Sequence, residues 1–291
     1  AFLVSTWPCQ FLAKIINCHR SETMMISALV YTGEGADAEA REDLQSFLTD
    51  YFANRRRECR IETTADAAEF QDLTTLGRFQ LFAFPGGFDL GFVRLLGAAG
   101  MANLARRVRS GSCGYLGMCA GAYFACREIE FAKGDPELEV LGSRLGLYRG
   151  LAVGPVFPGF DYKSLAGARV VENATVFEGD NKVHVYFNGG PKFVPDNQDP
   201  AAAAADSAEV LARYTEEEAA GQPAVVLAKC GLGGALLFGC HPEMDKKQLE
   251  SSSDPRLREI FTQLSRGAED RRQATYRMLD ELMKIVDAAG H

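Results

Sequence analysis

From Met24 the chain alternates between short apolar runs and amphipathic stretches. Met25 to Tyr31 is continuously apolar, as expected of a strand buried on both faces. Thr32-Gly33-Glu34-Gly35 turns the chain, and Leu44, Phe47, Leu48, Tyr51 and Phe52 then recur at helical spacing. Cys59 to Thr63 reads as a second strand, Ala65 to Leu76 as a second helix and Phe79 to Phe84 as a third strand. Pro85-Gly86-Gly87 ends that strand. A helix over Leu95 to Val108 and a fourth strand over Cys113 to Met118 follow. Such alternation predicts an α/β fold with a mostly parallel sheet and helices on both faces. Sites in such sheets lie beyond the carboxyl ends of the strands. Gly33 to Gly35, Pro85 to Gly87 and Gly117 to Cys119 should therefore converge on one edge.

The pattern changes after residue 128. Residues 129–200 hold no long amphipathic helix and are rich in Gly, Pro and β-formers. Leu138 to Leu141, Gly146 to Leu151, Ala168 to Phe177 and Lys182 to Phe187 read as short, mostly antiparallel strands that extend or cover the sheet. Pro195 to Asp206, with its five alanines, reads as a surface loop or short exposed helix. Val210 to Tyr214, Val225 to Lys229 and Ala235 to Phe238 are further strands. Two amphipathic helices close the chain: Leu257, Ile260, Phe261 and Leu264 mark the first, and Tyr276, Leu279, Leu282, Met283 and Val286 the second. These read as packing helices. The organisation expected is an extension over residues 1–23, a domain over 24–250, and a helical extension over 251–291 packing on it.

The candidate chemistry sits at two strand ends. Gly114 to Met118 runs into Gly117-Met118-Cys119-Ala120-Gly121, with a helix-forming run, Ala122 to Arg127, behind it. A nucleophile on a sharp strand-to-helix turn needs small neighbours two residues before and after it, and Gly117 and Gly121 hold those places. The helix start supplies free N–H groups and a positive dipole end, which favour a thiolate. Cys119 is thus a candidate nucleophile; a buried structural Cys beside packing glycines is the other reading. The last apolar strand ends in Gly239-Cys240-His241-Pro242-Glu243. His241 would be the base and Glu243 the group that holds its tautomer. The N–H groups of Gly86, Gly87 and Ala120 would form an oxyanion hole. Asn188-Gly189-Gly190 is either a hairpin turn or a substrate-binding loop over the site.

Composition narrows the class. The chain has 291 residues, 47% hydrophobic, with net charge −8. An acidic chain of this kind is a poor nucleic-acid partner. Its eight Cys form no CxxC pairs, so neither a metal site nor a disulfide scaffold is indicated. A reducing, cytoplasmic setting fits, and no apolar run reaches about 18 residues, so no membrane span is expected. Residues 1–23 make a poor signal peptide, leave a transit-peptide reading open, and precede a possible natural start at Met24 or Met25.

Several separate stretches carry a family resemblance. The order Pro85-Gly86-Gly87, Gly117-Met118-Cys119-Ala120-Gly121, His241-Pro242-Glu243 resembles the class I glutamine amidotransferase-like fold. More closely, the chain is similar to the N-terminal domain of eukaryotic biotin–protein ligases. Phe84 to Gly91, Tyr115 to Tyr123, Gly134 to Val140, Gly154 to Phe160, Tyr186 to Gly190 and His241 to Glu243 carry that likeness. The resemblance implies a flavodoxin-like three-layer sandwich with the elbow at Cys119 and a Cys119-His241-Glu243 triad acting on an amide. Nothing in this sequence resembles the Gly-Arg-Gly-rich biotin-adenylate loop of the ligases, so biotin ligation by these residues is not expected, and no cofactor is implied. Three functions stay open: an amide hydrolase or amidotransferase on a small-molecule or protein substrate, with a separate ligase or acceptor chain as partner; a non-catalytic regulatory or binding module; and an intracellular cysteine peptidase.

Overall fold

The computed structural model describes residues 25–111, 113–177, 182–196 and 206–288. The expectations for residues 1–23 and for the five-alanine run lie outside the described residues. The chain opens with β1 (Ile26–Tyr31), α1 (Ala38–Asn54), β2 (Cys59–Thr64), α2 (Ala67–Gln71), α3 (Leu73–Leu76), β3 (Leu81–Phe84), α4 (Asp89–Ser110) and β4 (Gly114–Met118). β2, β1, β3 and β4 lie side by side in parallel, and the late strand β13 (Gly233–Phe238) adds parallel to β4. This is the flavodoxin-like order, and its reversal between β1 and β3 opens a crevice above their carboxyl ends. Beyond β13 the sheet continues antiparallel through β12 (Pro223–Cys230), β11 (Ala208–Tyr214), β8 (Arg169–Thr175) and β9 (Lys182–Phe187), giving nine strands.

Both faces of the parallel strands are buried, which is why they read as unbroken apolar runs. Ile26, Ala28, Leu81, Leu116 and Leu236 face one layer, with Leu44 and Leu48 of α1 and Leu279 and Leu282 of the closing helix α7 (Ala268–Ala288), and the two helices meet through Phe47, Tyr51 and Tyr276. Leu29, Phe82, Tyr115 and Leu237 face the other, against α2, α3, α4 and the short α5 (Ala120–Ala125). That second layer is completed by a four-stranded sheet in the order β10 (Lys192–Val194), β7 (Tyr148–Gly154), β5 (Cys126–Phe131), β6 (Val140–Ser143). The helix α6 (Pro255–Arg266) packs Ile260 and Leu264 with Tyr186 of β9.

Three elements differ from the sequence reading. The helix-forming run Ala122 to Arg127 stops at Ala125, and Cys126 to Phe131 is a strand paired with β6 and β7. Cys126, Ile129 and Phe131 are buried while Arg127 and Glu128 are exposed, so packing on the second sheet overrides local helix preference. The helix expected over Ala65 to Leu76 is two short pieces, because the Asp72 carboxylate accepts from the N–H groups of Thr74 and Thr75 and starts a new turn. The helix expected from Leu95 begins at Asp89 and is interrupted at Gly97 (φ 60°, ψ 178°).

One buried cation joins the last helix to the site. Arg271 is 1% exposed; its guanidinium donates to the carbonyls of Leu264 at 2.8 Å, His184 at 3.2 Å and Pro242 at 3.3 Å, and pairs with Asp245. Among the described residues no helix is long and apolar enough to cross a membrane.

Candidate active site

β4 delivers Cys119 into the crevice. Its backbone lies at φ 46°, ψ −100°, and α5 starts at the next residue. The backbone is strained here, as non-glycine residues at positive φ are. Close packing on both sides holds it. A Cβ on Gly117 would fall 2.6 Å from the Gly121 carbonyl oxygen, and one on Gly121 would fall 2.2 Å from the Phe84 carbonyl oxygen. The Cys119 N–H donates to Phe238 at 2.9 Å and the Gly121 N–H to Pro85 at 3.0 Å, so the elbow is bonded to both neighbouring strand ends. Cys119 is 6% exposed, and its Sγ lies 3.7 Å from the Asn188 carbonyl oxygen.

His241 reaches the elbow from the end of β13. Its N–H donates to the Tyr186 carbonyl at 2.8 Å, and its Nδ1 is 2.9 Å from Glu243 Oε1. With Nδ1 engaged, the imidazole lies in the wall of the same cavity as Cys119, close enough for the two to interact electrostatically. The ring lies over Gly86, where a Cβ would fall 2.4 Å from Cε1. Burial alone would drive His241 toward the neutral form. Glu243 first, and then Cys119, outweigh that electrostatically and hold its pKa up at about 10. A raised histidine stabilises the fold fully below its unfolded value near 6.5, and that contribution is lost as pH rises through about 10.

Among the described residues, the N–H groups of Gly86, Gly87 and Ala120 donate to no backbone or side-chain acceptor. All three residues, with Cys119 and His241, line a cavity of about 580 Å³. Asn188 and Gly189 line it too. Gly190 does not: it packs against Gly239, whose carbonyl oxygen would lie 1.8 Å from an added Cβ. Its place is structural support for the loop. Tyr123 holds that loop by donating to the Gly189 carbonyl at 3.1 Å. Among the described residues no group of three or more His, Cys, Asp or Glu is placed to hold a metal ion.

Five residues escape the sequence reading. Asp89 lines the cavity and accepts from Arg144 Nε at 2.6 Å, both side chains being nearly buried. Phe160 and Tyr162 stand in the cavity wall, on the connection between β7 and β8; the aromatic-rich string Phe157-Pro158-Gly159-Phe160-Asp161-Tyr162 was the signal available for them. Lys246, close after the His-Pro-Glu string, lies 2.8 Å from Glu39 and over the Tyr186 ring. Asp43, on α1, is the fifth. Burial first, and then the charges of Glu243 and Glu39, raise its pKa to about 6.

Asp43 gives a pH-dependent expectation. An acid raised above its ordinary value of 3.8 costs nothing while protonated and opposes folding once it ionises, so its penalty appears as pH rises from about 4 through 6. Asp43→Asn is therefore expected to leave stability unchanged at pH 4. At pH 8 it should add about 1 kcal/mol after solvent screening at this half-buried position. The corresponding rise in Tm is about 2–4 °C. Thermal melts of both proteins at the two pH values check this; an equal shift at both would contradict it.

Comparison with known proteins places the chain. Residues 26–289 match the family described as biotin-protein ligase, N terminal. The chain belongs to that family. Over 227 residues the chain is 30% identical to the biotin–protein ligase of Schizosaccharomyces pombe, a stretch that covers 75% of the chain and 33% of the ligase. The chain thus spans about a third of that relative. It is 32% identical over 213 residues to an uncharacterized protein of Chlamydia muridarum, covering 72% of the chain and 77% of that protein. Among solved structures, the glutaminase domain of Trypanosoma brucei CTPS with bound acivicin superposes with TM-score 0.48 at 12% identity, covering 84% of the chain and 94% of that domain.

Proposed function

We propose that this biotin–protein ligase N-terminal family member carries out acyl transfer from an amide through Cys119. The observation that supports it most is the 2.9 Å contact between His241 Nδ1 and Glu243 Oε1, with the imidazole seated over Gly86 in the cavity that Cys119 also lines. Cys119 Sγ attacks the amide carbon, and the carbonyl oxygen becomes an oxyanion. The free N–H groups of Gly86, Gly87 and Ala120 border the space where that charge forms, and preorganised donors of this kind are a large source of rate. His241, carrying the thiol proton, passes it to the departing amine as the carbon–nitrogen bond breaks and leaves a thioester on Cys119. A water molecule, deprotonated by His241, then releases the acid and regenerates the thiol. Glu243 fixes the tautomer and balances the imidazolium charge. In the S. pombe relative the homologous region is part of a biotin–protein ligase, and we place the module beside a ligase region in the same or a separate chain.

The test is labelling. Cys59, Cys113, Cys126, Cys230 and Cys240 all have thiols pushed up by burial, Cys59 and Cys113 to about 11 and Cys230 to about 12. Chloroacetamide at pH 7 is expected to modify Cys119 at least roughly tenfold faster than any of these. Peptide mapping by mass spectrometry reads this out. Equal labelling of Cys119 and Cys59 would remove the nucleophile and favour a binding role. A glutaminase assay with Cys119→Ser as the blank asks separately whether free glutamine is turned over; we expect little turnover by the protein alone.

A further inference from the structure

The cavity above Cys119 has a sharply uneven lining. Phe88, Tyr123, Phe131, Phe160 and Tyr162 all border it. They pack on one another edge to face, with ring centroids 5.5 Å apart for Phe88 and Tyr162, 5.7 Å for Tyr123 and Phe131, 5.3 Å for Phe131 and Phe160, and 4.8 Å for Phe160 and Tyr162. Most charged groups in the lining are already engaged. Glu39 bonds Lys246, Asp89 bonds Arg144, Asp37 caps α1 through the Ala40 N–H, and Asp161 accepts from Lys163 N–H and Ser164 Oγ. Lys163 also lines the cavity and could meet the carboxylate of a free α-amino acid, but the ammonium would have to share a carboxylate with Lys246, Arg144 or the groups that Asp37 and Asp161 already accept from. Burying such charges without partners is costly. An apolar ring asks for none of this and meets aromatic edges and faces at the spacing such rings favour.

We propose that the substrate is an amide bearing an apolar ring, and that Phe160 and Tyr162, on the β7–β8 connection, are the specificity-determining residues that receive that ring. This rests on the reading that Cys119 attacks an amide carbon. A volume of about 580 Å³ lies in the range of pockets that enclose a whole small ligand, so ring and amide fit together in one cavity. Tyr162 is 46% exposed, so its side chain is the part of the wall that a substitution removes with least harm to the core.

The test separates binding from chemistry by using the Cys119→Ser protein. Calorimetric titration with 3-phenylpropionamide and with L-glutamine is expected to show the first bound at least roughly tenfold more tightly. Tyr162→Ala and, in case that variant fails to fold, Phe160→Leu are each expected to weaken 3-phenylpropionamide roughly three- to tenfold, with L-glutamine unchanged. Glutamine binding as tight as the phenyl amide, no binding of either, or phenyl-amide binding indifferent to both substitutions would overturn the proposal. Selective binding of the phenyl amide by a protein whose Cys119 proves unreactive would sink the acyl-transfer reading and leave the ring preference standing.

Discussion

His241→Ala is expected to slow acylation of Cys119 by about 10²–10⁴-fold, the span of a positioned general base. On the proposed mechanism the substitution removes three things at once: the base for the Cys119 thiol, the charge that balances it, and the only described partner of Glu243 Oε1. Rapid-quench mass spectrometry on wild type and variant with an activated amide measures the ratio. The pH profile adds a second reading. With His241 held up at about 10, wild type should show no imidazole titration step between pH 6 and 9. A step near pH 6.5 would mean that the imidazole is not paired as described. A variant rate within about threefold of wild type would remove His241 from the reaction altogether.

The second large effect belongs to the elbow. Gly121→Ala is expected to cost about 3 kcal/mol or more, because the new methyl lands 2.2 Å from the Phe84 carbonyl oxygen and 2.8 Å from its carbon. Backbone on both sides has to part, so β3 and α5 separate and carry the Gly86 and Ala120 N–H groups with them. Loss of Tm of about 6–12 °C in a chain of this size, together with loss of Cys119 reactivity in the fraction that stays folded, is the expected outcome. Unchanged melting would show that strand and helix do not approach as closely as described.

Much of this arrangement was legible in the residues themselves. Gly117 and Gly121 announced a crossing too tight for side chains, and the contacts a Cβ would make at both positions explain why. The parallel strands were legible because burial on both faces leaves an unbroken apolar run, as in Leu81 to Phe84. Strand β5 was not, because Ala122 to Arg127 suits a helix locally; only the neighbours at β6 and β7, distant in sequence, decide otherwise. Asp89 and Arg144 were hidden for a similar reason. Two charged residues 55 positions apart give no local sign that they will be buried against each other. Asp43 looked like any solvated acid on an amphipathic helix, until folding set it near Glu243. Gly190 could not be placed from sequence, because a Gly-Gly turn looks alike whether it offers N–H groups to a ligand or lets two stretches of backbone touch, as Gly190 and Gly239 do.

Arg271 has a consequence for anyone cutting the gene. A fragment ended near residue 250 would keep Cys119, His241 and Glu243 in sequence, and on paper would look complete. It would lack the guanidinium that holds the Pro242 and His184 carbonyls in place, and it would lay open the layer that Leu279, Leu282 and Met283 cover. Such a fragment is expected to emerge insoluble, or soluble and inert, and its silence would say nothing about the intact domain.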